Sequence, residues 1–170
     1  CFDEKYLEKA VLLTETMMRD FYDEEGSGFF DTSGKDESIL VRTKEDYDSA
    51  EPTGNSIAIM NLLRLSFLTG RNQWYDKAYS SIVAFSAKLE KMPYAMPQML
   101  VALEYALNKP KQIIIAGKEN DMTAAYMLRE VYKRFMPNKI LVMLDPAKAA
   151  QSLTFASSIA INEPATTAYV

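Results

Sequence analysis

Residues 48–70 read DSAEPTGNSIAIMNLLRLSFLTG. The first half is an acidic loop punctuated by Pro52 and Gly54, and the second is an apolar run that stops at Gly70. Ile57, Met60, Asn61, Leu65 and Leu68 recur at helical spacing, so the pattern predicts a helix over 54–68 with Gly70 as its C-cap. Thr53, Asn55 and Ser56 are residue types that satisfy the free N–H groups at a helix start, and proline is common there. Two readings of the junction Glu51–Ser56 stay open. It is either a plain helix cap, or a helix N-terminus whose partial positive charge faces a ligand or a buried carboxylate.

Working outward, 3–21 carries an apolar stripe of Tyr6, Leu7, Ala10, Leu13, Thr14, Met17 and Met18, with Asp3 placed to cap it. Residues 22–52 then form a long excursion rich in Gly, Asp, Glu and Ser, with two short apolar stretches, GFFDT and SILVR. This stretch is expected to be a small β-hairpin or two extended pieces lying over the helices, and ordered loops of such length are usually functional. Downstream, 72–89 and 93–107 read as two more helices, the first bearing Trp74, Tyr75, Ala78, Ile82, Phe85 and Leu89. Links of a few residues make sequential helices antiparallel neighbours. After Pro110 the period changes, and KQIIIAG, MTAAYMLREVYKRFM and KILVML read as strand, helix and strand. A short helix near 148–156, the stretch SIAI and a terminal strand TTAYV complete the expectation. The expected domains are 1–109, helical hairpins with the excursion 22–52, and 110–170, a small α/β part.

With 170 residues, the chain can bury roughly two thirds of its unfolded surface. Its net charge of −4, without a dense Lys/Arg run, argues against nucleic acid or an anionic membrane as partner. No apolar run is long enough to span a bilayer, and the opening CFDEKYLEK does not read as a signal peptide. One cysteine and no histidine exclude, within this chain, a Cys/His zinc site, a Ser-His-Asp triad, a Cys-His pair and a CxxC redox pair. Acid–base work falls to Asp, Glu, Lys or Tyr. A lone cysteine points to a reducing, cytoplasmic setting. GKENDMT after the first strand holds Gly117 but neither GxGxxG nor GxxxxGK[ST], so no nucleotide cofactor is expected, nor any metal.

The excursion holds the residues with chemical capacity: Asp31, Arg42, Lys44, Asp46, Asp48 and Glu51. Two carboxylates facing a sugar could serve as acid and base or nucleophile, and an arginine beside them would keep one ionised. A charged loop of solvated side chains explains the same composition. Trp74 and Tyr75 are expected in the core, whereas one of Phe29 and Phe30, lying off any helix, is free to face a cleft.

AEPTGNSIAIMNLLRLSFLTG resembles a signature of the YyaL-like, spermatogenesis-associated protein 20-like family of thioredoxin-domain-containing proteins. GFFDT, SILVRTKEDYDSAEP, WYDKA, PKQIIIAG, Phe135–Asn138 and the ending Thr167–Val170 are similar to that family too, so the resemblance covers nearly the whole chain. Thr53 stands where serine is usual and keeps the hydroxyl. The resemblance implies a larger parent, with a thioredoxin-like part followed by helical hairpins in an (α/α)6 toroid of the six-hairpin glycosidase kind. This chain would be the C-terminal portion, an incomplete toroid plus the α/β tail. Within such a toroid, Asp31, Asp48 and Glu51 become catalytic candidates, and Arg42, Asn55 and Phe30 ligand-binding ones, for a sugar-like ligand. The rival implication is a structural or interaction module supporting the thioredoxin-like part. Missing hairpins would leave an apolar helix face bare, which predicts homo-oligomers of the isolated chain.

Overall fold

The computed structural model of the chain describes residues 3–35, 38–118, 120–145 and 166–170. In chain order the helices are α1 (Glu4–Phe21), α2 (Gly54–Thr69), α3 (Asn72–Ala84), α4 (Ser86–Lys91), a 3-10 turn (Pro93–Ala95) and α5 (Pro97–Asn108). There follow β1 (Lys111–Ala116), α6 (Met122–Tyr132), β2 (Lys139–Leu144) and β3 (Thr167–Tyr169). The architecture is mainly α with a small three-stranded sheet. The helix expected near 148–156 and the stretch SIAI fall outside the described residues. Two compact units emerge. One holds Lys5–Phe67 and Arg71–Asn108, and the other is built on Lys109–Val170 with Cys1–Glu4 and Leu68–Gly70.

In the helical unit, α2 departs from the one-sided stripe that its spacing predicts. Ala58, Ile59, Met60, Leu62, Leu63 and Leu65 are all buried, as are Asn55, Ser56 and Ser66, while Ile57 and Asn61 are exposed. A helix apolar around most of its circumference is a central one, covered on several sides. Phe67 of α2 meets Tyr75 of α3 and Tyr105 of α5 edge-on, each at 6.0 Å between ring centroids. Trp74 is buried as expected, and Tyr75 is half-buried, its hydroxyl donating to the Ala106 carbonyl at 3.2 Å. The stripe on α1 is covered unevenly: Thr14 is buried and Met17 and Met18 half-buried, yet Tyr6 and Leu13 are exposed.

Both downstream helices break where one was expected. Phe85 interrupts 72–89 with φ −92 and ψ 0, its N–H shared between the Ser81 and Ile82 carbonyls, so the turn tightens before α4 restarts. Pro97 divides 93–107, because its ring disfavours a helical residue before it; Met96 accordingly sits at φ −139 and ψ 55. The excursion is extended, but it is not the β-hairpin that was one of its two readings. Among the described residues it has a lone antiparallel bridge, Tyr22 with Phe29, and no named strand.

In the second unit β1 is central, parallel to β2 in register from Lys111–Lys139 to Ala116–Leu144 and antiparallel to β3. Ile113 to Ala116 are buried, the fully apolar character a central strand needs. Asp121 caps α6 by accepting the Thr123 N–H at 2.9 Å, and it also takes the Thr166 hydroxyl, next to β3. Those donors hold the Asp121 carboxyl below its ordinary value, the Thr166 hydroxyl first.

Leu62, wholly buried in α2, should be among the costliest truncations. Leu62→Ala is expected to lower the unfolding free energy by about 3–5 kcal/mol, read from urea denaturation, whereas Ile57→Ala should cost under about 1 kcal/mol.

Candidate functional site

The start of α2 is the chemical centre of the helical unit. Thr53 is its cap: the Thr53 hydroxyl oxygen accepts the Ser56 N–H at 3.0 Å and donates its proton to the Ser56 hydroxyl at 2.9 Å. Asp48, five residues earlier, is 7 % exposed. Its Oδ1 accepts the Thr53 N–H and its Oδ2 the Gln98 N–H, both at 2.8 Å, while its own N–H donates to the Ala95 carbonyl at 2.8 Å. One buried carboxylate therefore binds the N-terminal ends of α2 and α5 together. Of the two open readings of the junction, the structure combines a cap with a helix start facing a buried carboxylate. Burial alone would push the Asp48 carboxyl up, but the Thr53, Ser56 and Gln98 donors outweigh it and hold the group below 3.8.

Asn55 works in the same way on the other side of the junction. It is 1 % exposed; its Oδ1 accepts the Phe29 N–H at 2.7 Å, and its Nδ2 donates to the Phe29 carbonyl at 2.9 Å and the Glu45 carbonyl at 3.0 Å. The side-chain amide thus serves Phe29 as a neighbouring strand would, which is why the excursion lies ordered without forming a sheet. Gly28 precedes it with φ +81, and a Cβ there would stand 3.2 Å from both Asn55 Oδ1 and the Phe85 ring.

The extended run 42–45 alternates its contacts with the period of two that extended backbone imposes. Arg42 and Lys44 lie over the Phe30 ring, at 3.9 and 5.0 Å from its centroid. Thr43 and Glu45 face Asp31, whose carboxylate accepts the Thr43 hydroxyl and the Glu45 N–H, each at 2.9 Å. Arg42 directs its guanidinium at the Thr32 carbonyl, at 2.7 and 3.1 Å, and the Asp20 carbonyl, at 3.3 Å. Lys44 pairs with Asp23, holding that carboxyl down to about 2. Arg19 and Lys35 do the same for Asp20, and Lys88 pairs with Asp46. Glu51 is exposed.

Of the six residues offered as catalytic or ligand-binding candidates, three line one cavity of about 330 Å³: Phe30, Asp31 and Asn55. Met17, Phe21 and Phe29 form its apolar wall, and Glu45 adds a second carboxylate. Asp48, Glu51 and Arg42 are not part of that lining. Phe29 and Phe30 both line the cavity, the first as a core residue at 4 % exposure and the second half-buried. Glu45 was missed by sequence reasoning: alternation from Arg42 pairs 43 with 45, but only the structure shows that Asp31 accepts from both. Among the described residues each carboxylate whose pKa is displaced, namely Asp20, Asp23, Asp48, Asp121 and Glu130, moves downward. Burial pushes the Tyr105 hydroxyl up to about 12, and it has no hydrogen-bond partner among the described residues. Among the described residues no group of three Cys, Asp or Glu is placed to hold a metal ion, and no helix is long and apolar enough to cross a membrane.

Human spermatogenesis-associated protein 20 is 33 % identical to this chain over 172 residues, a match covering 99 % of the chain and 22 % of that protein. The chain is a relative of spermatogenesis-associated protein 20. The mouse protein of that name matches equally, at 33 % identity and the same coverage. An uncharacterized protein of Caenorhabditis elegans is 40 % identical over 140 residues, covering 82 % of the chain and 19 % of that protein. The chain thus spans about a fifth of the length of the curated relatives it matches. No family model matches the chain.

Acid should expose the role of Asp48. Its folded pKa lies below the unfolded value, so its stabilisation is complete at neutral pH and is lost as pH falls below about 4 toward the folded pKa. Asp48→Asn, which keeps the shape but sets an NH₂ against a backbone donor, is expected to cost about 1–3 kcal/mol at pH 7. It should also flatten the acid limb of the stability profile, measured by denaturant unfolding across pH 2–7. Asn55→Ala should cost about 2–4 kcal/mol, because it leaves buried Phe29 groups unpaired, and should bring on proteolytic nicking within 29–45.

Proposed function

We propose that the chain is a non-catalytic structural and interaction module of a larger, thioredoxin-domain-containing protein. In that reading its helices form part of an (α/α)6 toroid, and the excursion docks against the thioredoxin-like part that the family resemblance implies. The observation that carries this is the state of Asp48. Asp48, one of the three carboxylates the sequence offers as catalytic candidates, is buried and saturated with main-chain donors at two helix starts. A general acid for glycoside cleavage needs a raised pKa, and among the described residues the displaced carboxylates all go the other way. Asn55 and Arg42 are likewise committed to main-chain carbonyls or amides.

A second reading, a sugar-type ligand cleft, draws support from the cavity at Phe30 and Asp31. Cross-linking of the full-length protein separates the two. The exposed amine of Lys35, on the excursion, is expected to cross-link to the thioredoxin-like part, and Asp31→Ala should leave any activity of the parent unchanged. Absence of such cross-links, together with a sugar bound by the parent and lost on Asp31→Ala, would replace the module with the sugar cleft.

A further inference from the structure

We propose that the outer face of α6 is a dimer interface, at which two copies of this chain pair their α6 helices antiparallel across a two-fold axis. This goes beyond the module reading and does not depend on it, because it concerns the second unit alone. On one side of α6, Ala124 is buried and Met127, Leu128 and Val131 are half-buried, which marks the side turned to its own unit. The opposite side carries Met122, Tyr126, Arg129 and, just past the last turn, Lys133, all of them exposed. Spacings of four, three and four are those of the a and d seam along which two helices pack. The helix thus has a second seam that no described residue covers.

The make-up of this face separates it from ordinary surface. Met122, Tyr126, Tyr132 and, beyond the helix, Phe135 are 82, 65, 64 and 93 % exposed. With aromatic side chains of about 150–250 Å² each, the open apolar area is on the order of 500 Å², near the top of what a monomer's largest patch shows. Tyrosine, methionine and arginine are also the types enriched in interface cores. Covering this area on two copies removes about 1,000 Å² from water, the low end for a specific interface, so the dimer is a reversible one.

Self-complementarity makes a second copy the occupant. Lys133 and Arg134 are both taken up by Glu130, at 2.5 and 3.7 Å, whereas Arg129 has no ion-pair or ring partner among the described residues. A parallel pair would set Arg129 against Arg129. An antiparallel pair with its axis level with residues 127–128 sets Arg129 of each copy against Tyr126 of the other, which gives two cation–π contacts. The same register lays Met122 along the stem of Lys133 and leaves room above the small Ala125 for the Tyr132 ring of the other copy. Each of these contacts occurs twice, as a two-fold interface requires, and the helix dipoles run in opposite directions.

The test is sedimentation of the full-length protein from low to high micromolar concentration, with tyrosine-directed surface labelling alongside. Wild type is expected to pass from monomer to dimer, and Tyr126 to lose labelling as it does. Tyr126→Arg and Arg129→Glu should each weaken the dimer by about tenfold or more, with the unfolding midpoint of the monomer unchanged because both side chains are exposed there. The double variant Tyr126→Arg/Arg129→Glu should dimerise again, since the antiparallel register then sets the new cation of one copy against the new carboxylate of the other. A monomer at every concentration would overturn the proposal, and one whose Tyr126 is nonetheless protected from labelling would give the face to another segment of the parent. A dimer indifferent to both single substitutions, or a double variant as weak as the singles, would overturn it equally.

Discussion

The Asp48 carboxylate, wedged between the first turns of α2 and α5, is the interaction on which the helical unit depends. Two backbone N–H groups that helix geometry leaves unpaired converge on its two oxygens, and the carboxylate is charge-matched to both helix ends. Because Asp48 also donates its own N–H to Ala95, the loop, the cap of α2 and the approach to α5 are fixed by one residue. The burial that this demands would be unfavourable for a lone carboxylate, and only its donors reverse the sign. Removing any one of those donors leaves the charge less compensated. For that reason the junction behaves as a unit rather than as separable bonds.

From that junction the excursion follows. Asn55, one turn into α2, offers the amide pattern of a strand to Phe29 and so replaces the pairing that a hairpin would supply. Asp31 repeats the device at a smaller scale, gathering Thr43 and Glu45. Side chains, not a β-ladder, hold this segment, and its ion pairs with Lys35, Lys44 and Lys88 lie outside that frame. The pair made by the exposed Lys35 adds little stability, whereas the Lys44 and Lys88 pairs are half-buried, so the order of the segment rests on them together with the buried amide and carboxylate.

Much of the fold was legible because it is written in periodicity. The helix at 54–69, the strand–helix–strand run after Pro110 and the terminal strand each announce themselves by spacing and by β-branched content. The breaks at Phe85 and Pro97 were less so: a proline can begin one helix as readily as interrupt another, and Phe85 breaks its helix through main-chain bonding that composition does not encode. In the site, residue types were readable but partners were not. Asp48 reads equally well as a base or as a cap from sequence, and its distance of fifty residues from Gln98 hides the second helix start entirely. Glu45 was overlooked because a charge run gives no reason to prefer one member until the facing residue, Asp31, is known.

The central claim is that Asp48 and Asn55 are structural fasteners rather than reactive groups. Native-state amide hydrogen exchange at Thr53, Gln98 and Phe29, the three backbone donors they hold, measures this most directly. If the account is right, all three amides exchange only through global unfolding, with protection equal to that of Leu62 and Leu63 in the middle of α2. Exchange at Thr53 and Gln98 as fast as at the exposed Ala50, with α2 still protected, would show Asp48 free to leave its donors and would contradict the account.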